Sequence, residues 1–517
     1  MSVLAHTGPL LRLHPEDPVA VARRDLAPGE HLTAGGTALS IREPVPRGHK
    51  VALTPLAAAQ PVHKYGQVIG ITTQAIAAGQ HVHDHNLISP SRRATLTPAP
   101  ASRYGAAPPP TPVDAPASFA GYRRADGRVG TRNYVAVLST VNCSATVVRR
   151  IAAAFSVPGA LDEHPGVDGV MAVTHGTGCG MSADGEGLAV LRRTLRGYAS
   201  HPNVGGVVVV GLGCEVNQVA GLASELDLAP GIPIVHMTIQ GVGGTAATIR
   251  AGVQAVRELL PIAGAARRSP VPLSELVLGL NCGGSDAWSG VSANPVLGVA
   301  VDGLVAAGGT AILAETPEIH GAEHLLTSRA VSAEVAAALM ERVAWWERYA
   351  AADGGNLDNN PSPGNRAGGV TTIEEKSLGA VAKGGSSLLR AVYRYAEPVT
   401  ERGLVFMDTP GYDPVSVTGI VAGGANLVCF TTGRGSVFGA KPAPSLKLAT
   451  TAELYRRMAD DMDLDCGPVL DGSASVQELG AALLQQIAAV ASGRPTKSEE
   501  LDLGDEEFTP WQLGSVM

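Results

Sequence analysis

Aromatic and charged residues are scarce in this 517-residue chain, at 4% and 17%, yet hydrophobic residues make up 45%. That balance excludes a disordered, charge-solvated polymer and demands packed cores. No stretch reaches the roughly 18 consecutive apolar residues that suggest a membrane helix. The opening residues MSVLAHTGPLLRLHPEDP lack the basic region, apolar stretch and cleavage site of a secretory signal, so a cytoplasmic protein is expected. Six cysteines occur with neither a CxxC pair nor a disulfide-like framework. Also missing are a phosphate-binding Walker loop, a nucleophile elbow and an HExxH helix. A net charge of −8, with no Lys/Arg stripe interleaved with aromatics, speaks against a nucleic-acid partner.

What is abundant is glycine and proline, 63 and 36 residues, and much of the glycine sits inside apolar segments. Tight turns between buried elements follow. Residues 1–90 carry short apolar runs without helical periodicity and predict a small all-β domain. Residues 91–118 are dominated by proline and alanine and read as a linker. From 119 the texture becomes apolar strands alternating with helical stretches, which predicts an α/β fold with parallel sheets. A soft boundary at AGAARRSPVP divides it into a middle domain, 119–265, and a C-terminal domain, 266–517. The polar segment 354–369 reads as a structureless loop of the kind that forms lids.

Four cysteines each follow an apolar run: Cys143, Cys179, Cys214 and Cys282. Carboxyl ends of parallel strands are where open α/β sheets bind ligands, and thiolates there suit iron or zinc. The plain alternative is four small buried residues. Cys429, inside a strand, and Cys466 read as structural. The segment LAETPEIHGAEHLL adds Glu315, Glu318, His320, Glu323 and His324, a carboxylate and imidazole set suited to Fe2+ or Mn2+, or to acid–base work. His175, four residues before Cys179, is a further candidate base. In HVHDHN, His81, His83 and His85 alternate on one strand face, able to hold a metal or an acidic substrate. His49, Lys50 and Lys64 join them, with His14 and Asp17 in the same module. Arg132, Asn133, Asn217, Gln218, Lys376, Lys383 and Arg434 stand in polar turns, Arg434 between glycines where it can grip a carboxylate. GVGGTA is only a loose dinucleotide pattern, with no acidic residue at the needed distance.

GYRRADGRVGTRNY, VNCSAT, GLGCEVNQ, CGGSDAWSGVSANP, ETPEIHGAEHLL, NNPSPGN, DTPGYDPVS and FTTGRGS together resemble the altronate and galactarate dehydratase family, over essentially the whole length. The resemblance implies an antifreeze-like β-clip (SAF) domain, a linker, a middle domain and a C-terminal Rossmann-fold variant whose sheet does not by itself imply NAD. It implies a hydro-lyase that removes water from a sugar acid, D-altronate to 2-keto-3-deoxy-D-gluconate, since HVHDHN and HKYG resemble the altronate branch. Galactarate, another aldonate or aldarate, and a sulfolactate sulfo-lyase-like reaction are the alternatives. Fe2+, or Mn2+, is the implied cofactor, an iron–sulfur cluster staying open, and a homodimer the implied assembly. On this reading Cys143, Cys179, Cys214, Cys282 and Glu318 surround the metal, and His175, Glu315 and His324 move protons. Arg132, Asn133, Asn217, Gln218, Arg434, Lys383, His49, Lys50, His83 and His85 face the substrate. A sugar-acid binding protein and a nicotinamide oxidoreductase are the competing classes.

Overall fold

The computed structural model describes residues 8–34, 37–89, 113, 115–515 and 517, so most of the expected linker lies outside the described residues. In the N-terminal region a four-stranded antiparallel sheet contains Val19–Ala22, Lys50–Ala52 and His81–Val82. Beside it Pro61–Lys64 and Gln67–Thr72 form a hairpin closed by Tyr65 and Gly66, both with positive φ (62° and 72°). This two-residue turn matches the right-handed twist of its strands. Asp17, buried, accepts from the backbone N–H groups of Tyr65 and Gly66 at 3.0 and 2.9 Å. Its role is to hold the turn that aims Lys64 inward.

The middle region is a four-stranded parallel sheet in the spatial order Gly169–Val173, Tyr134–Ser139, Val204–Gly211, Ile234–Thr238. Its two inner strands are buried on both faces, which is why YVAVLS and VGGVVVVG read as unbroken apolar runs. An antiparallel pair, Ser118–Arg123 with Ser269–Pro272, brackets this region.

Seven parallel strands form the C-terminal sheet, ordered Leu389–Tyr393, Gly403–Met407, Thr310–Leu313, Val277–Cys282, Leu427–Thr432, Ser445–Ala449, Leu464–Asp465. Helices Ala293–Ala306 and Val476–Ala491 cover one face with Val296, Leu297, Leu483 and Ile487. On the other face, helix Asp413–Ala422 packs against helix Glu186–Ala199 of the middle region, so the two regions share one apolar core. Gly197 makes that crossing possible: a Cβ there would lie 2.2 Å from the Ala422 carbonyl oxygen. The chain leaves Val277–Cys282 toward one side of the sheet and later returns to its other side through Leu427–Thr432. The carboxyl end of Val277–Cys282 is therefore the topological switch point, where such sheets bind ligands. No helix is long and apolar enough to cross a membrane among the described residues.

Candidate active site

Cys282 closes the strand Val277–Cys282 at that switch point, and Glu315 follows Thr310–Leu313 next door. Glu315 has a left-handed backbone (φ 69°), uncommon without glycine and costing on the order of 1–3 kcal/mol. Its N–H donates to Thr409 Oγ1 at 2.9 Å, and the bend starts a 3-10 turn, Thr316–Ile319, that brings Glu318 back over the same point. Cys282 Sγ lies 3.5 Å from Glu315 Oε2 and 3.4 Å from Glu318 Oε2. Lys383 Nζ donates to Cys282 Sγ at 2.9 Å and to Glu315 Oε2 at 2.7 Å. Lys376 Nζ donates to Glu318 Oε1 at 2.7 Å and Asn360 Nδ2 to the same oxygen at 3.0 Å. Asn360 comes from the 354–369 segment, whose composition predicts a structureless loop. In fact it carries two short helical turns, Leu357–Asn359 and Pro363–Ala367, the second stapled by a Ser362–Asn365 capping box.

Burial penalises charge throughout this pocket, and the lysines decide which groups escape. Burial, reinforced by nearby Glu315, pushes the Cys282 thiol well above its ordinary range. Burial likewise raises Glu315 despite Lys383, whereas Glu318 is held below its ordinary value because Lys376 and Lys383 outweigh its burial. Asp413, half-buried at the start of its helix, has its carboxyl raised to about 8 by burial and by the facing Glu315 and Glu318. Gly283 lets it approach, since a Cβ there would lie 2.3 Å from Asp413 Oδ2. Arg434, exposed after Leu427–Thr432, donates its backbone N–H to the Gly284 carbonyl at 2.9 Å.

The four cysteines do not form one ligand-sized group among the described residues. Cys143, Cys179 and Cys214 are exposed at the carboxyl edge of the middle sheet, whereas Cys282 is buried in the C-terminal one. Among the described residues the ligand-sized grouping of Cys282 is with Glu315 and Glu318, not with other thiols. Strand ends of two different sheets look alike in sequence, and only the fold assigns Cys282 to one sheet and the other three cysteines to the other. Cys429 and Cys466 are buried, as expected of structural residues.

Several expected substrate ligands hold the fold instead. Arg132 Nε and Nη2 donate to both oxygens of Glu499 at 2.6 and 2.8 Å, and its remaining donors take the carbonyls of Thr131, Val490 and Arg494. No donor is left for a carboxylate. Arg132→Ala is expected to cost about 3 kcal/mol of stability while leaving KM unchanged, checked by urea unfolding beside steady-state kinetics. Asn133 donates to the carbonyls of Gly166 and Ala263, Asn217 to that of Thr140, and Gln218 to that of Glu215. His175 has both ring nitrogens engaged, by Ser139 O and Thr177 Oγ1, each at 3.1 Å, and burial lowers it to about 4. It follows the strand Gly169–Val173 in the middle region. His324 is exposed and bonds Gln67 Oε1 at 3.1 Å, joining the first and third regions. GVGGTA is the joint between helices Ile239–Val242 and Thr245–Ala263.

Lys50 is likewise taken. Its ammonium and that of Lys64 share buried Glu375, at 2.8 Å each. Burial lowers Lys50 to about 8, while Lys64 is held above its ordinary value by Glu375 despite burial. Helix Ile373–Val381 thus presents Glu375 to the N-terminal module and Lys376 to Glu318. His49, His81 and His83 cluster beside this pair, with His85 exposed and its ring 5.3 Å from that of His81. Asn360 and Asp413 are the site residues that the residue types and their spacing do not single out. Both lie in segments that carry the family resemblance, NNPSPGN and DTPGYDPVS, the one signal that points to them.

Three collinear matches cover the chain: the altronate/galactarate dehydratase SAF domain at residues 9–90, the second domain of D-galactarate dehydratase/altronate hydrolase at 121–264, and the D-galactarate/altronate dehydratase C-terminal domain at 273–516. Altronate dehydratase of Escherichia coli is 38% identical over 498 residues, 95% of this chain and 97% of the relative. The chain belongs to the altronate/galactarate dehydratase family. Altronate dehydratase of Bacillus subtilis is 34% identical over 95% of this chain and 97% of its own length, and galactarate dehydratase (L-threo-forming) of E. coli 36% over 94% and 93%. As a family member the chain is a hydro-lyase, and the oxidoreductase and binding-protein alternatives fall away.

Proposed function

We propose that the chain dehydrates D-altronate to 2-keto-3-deoxy-D-gluconate in the Cys282–Glu315–Glu318 pocket. The observation that carries this is the end-to-end likeness to two altronate dehydratases, combined with a carboxylate and lysine cluster at the switch point of the third-domain sheet. The C2 proton of an aldonate is a weak acid, and negative charge develops on the carboxylate as it leaves. Asp413 as carboxylate takes the C2 proton, the C–H electron pair forms the C2–C3 double bond, and the C3–O bond breaks. The same carboxyl hands its proton to the departing hydroxide, releasing water and an enol that tautomerises to the 2-keto acid. Arg434 grips the substrate carboxylate, and the ammonium groups of Lys376 and Lys383 offset the charge of Glu318 and Glu315.

Cys282, Glu315 and Glu318 fit a divalent ion of intermediate softness such as Fe2+ or Mn2+. Their donor atoms lie within 4.8 Å of one another, and buried Glu315 Oε1 has no hydrogen-bond partner. Bound there, such an ion supplies positive charge against the developing aci-carboxylate. A homodimer in the cytoplasm completes the proposal.

Purified protein with Fe2+ and reductant, assayed for 2-keto-3-deoxy product against D-altronate, galactarate and other sugar acids, tests the substrate. A preference for D-altronate is expected; a preference for galactarate or no product at all sinks the reading. Arg434→Ala is expected to raise KM about 10- to 100-fold, the worth of one charged hydrogen-bonded contact, with kcat changed less. An unchanged KM removes Arg434 from the substrate.

A further inference from the structure

We propose that His49, His81 and His83 form a second metal site, in the N-terminal module, that takes a divalent first-row transition ion through imidazole nitrogen alone. Each of the three offers a ring nitrogen, and these atoms lie within 4.8 Å of one another. His49 Nδ1 and His81 Nε2 are 2.9 Å apart, which requires at least one of them to be an unprotonated lone pair. The ring centroids of His49 lie 5.0 Å from His81 and 4.7 Å from His83, and those of His81 and His83 are 5.4 Å apart. Three imidazoles gathered this closely gain little from one another and much from a shared cation.

The backbone builds the cluster. His49 directly precedes the strand Lys50–Ala52, and His81–Val82 pairs with that strand, Val51 opposite His81. Asn86 then turns the chain, accepting from the His83 N–H at 3.0 Å and donating to the His81 carbonyl at 2.9 Å. Metal-binding histidines are oriented by a hydrogen bond at the other ring nitrogen. Here His83 Nδ1 is 3.0 Å from Thr371 Oγ1 and His49 Nε2 is 3.3 Å from the Ala367 carbonyl, leaving His83 Nε2 and His49 Nδ1 for the ion. Both orienting groups belong to the C-terminal domain, and Thr371 also accepts from Lys50 Nζ at 2.8 Å. The site is thus complete only when the module is docked beside Glu375. His81 is partly open to solvent, which provides the entry path, and the carboxylate of exposed Asp84, with Oδ2 3.9 Å from His83 Nε2, stands nearby. The donor set differs from the thiol and carboxylates around Cys282, so the two sites select different ions.

Demetallated full-length protein titrated with Co2+ tests the site, because sulfur ligation gives a charge-transfer band and imidazole ligation does not. In Cys282→Ser, one equivalent is expected to bind with a d–d spectrum and no sulfur band, and His81→Ala in that background is expected to weaken it at least 100-fold. Uptake equal in both variants, or none in Cys282→Ser, overturns the proposal. Should His81→Ala fail to fold, X-ray absorption of Zn2+-loaded Cys282→Ser decides. Three imidazole nitrogens at about 2.0–2.1 Å support the site, and a shell without imidazole overturns it. Neither outcome depends on turnover, so the site stands or falls separately from the proposed reaction.

Discussion

Asp413→Asn is expected to lower kcat about 10²- to 10⁴-fold, the usual contribution of a positioned proton-transfer group, while KM and metal content stay within a few-fold of the parent. The amide keeps the size and the approach to Gly283 but neither accepts nor returns the C2 proton. The carboxyl sits at about 8 because burial and two neighbouring carboxylates oppose its ionisation. As the base form does the work, kcat/KM of the parent is expected to rise about tenfold per pH unit along an acid limb and then level off. The asparagine variant loses that limb. Full activity in Asp413→Asn, or an acid limb that persists unchanged in that variant, transfers the proton step to another group.

Glu375→Gln is expected to destabilise the folded protein by about 3–5 kcal/mol, the penalty for leaving buried charge without its partner. Lys50 and Lys64 both rely on this one carboxylate, and both are almost fully enclosed. Urea unfolding of parent and variant measures the loss, and a change below about 1 kcal/mol, the range of surface pairs, refutes the role assigned to the triad. The sign with pH follows from the same contacts. Although burial alone would raise it, Lys50 and Lys64 bring Glu375 down to about 2, below the ordinary glutamate value near 4.3. Its contribution is therefore fully present above about pH 4.3 and lost as pH falls toward 2. Because Lys376 follows Glu375 directly on the helix, acid or Glu375→Gln is expected to disturb the Glu318 contact as well.

Legibility in the sequence varied with how local the physics was. Apolar runs such as VGGVVVVG and ELVLGLN announced buried parallel strands, since a strand covered on both faces admits little polarity. The alternation in HVHDHN suggests one extended strand, but the strand ends at Val82 and a turn follows, so His83 is buried beside His49 and His81 while His85 stays exposed. Glu315, Glu318 and Lys383 were visible as candidates because charged residues next to a buried strand end need a reason to be there. Arg132 misled for the same cause: a polar group between apolar segments is conspicuous whether it binds a ligand or, as here, satisfies Glu499 and three carbonyls. Asp413 was hidden in DTPGYDPVS, where its neighbours gave it the look of a helix start.

From the sequence alone came the architecture, the family and the reaction type, because hydrophobic period, turn residues and extended motifs are properties of contiguous chain. Only the tertiary structure divided the four cysteines between two sheets, joined Cys282 to Glu315, Glu318 and Lys383, and set His83 against Thr371 and His49 against Ala367. Those pairings link residues tens to hundreds of positions apart. They are fixed by strand order and by the docking of one region on another, and each partner's charge is then set by burial that no linear pattern records.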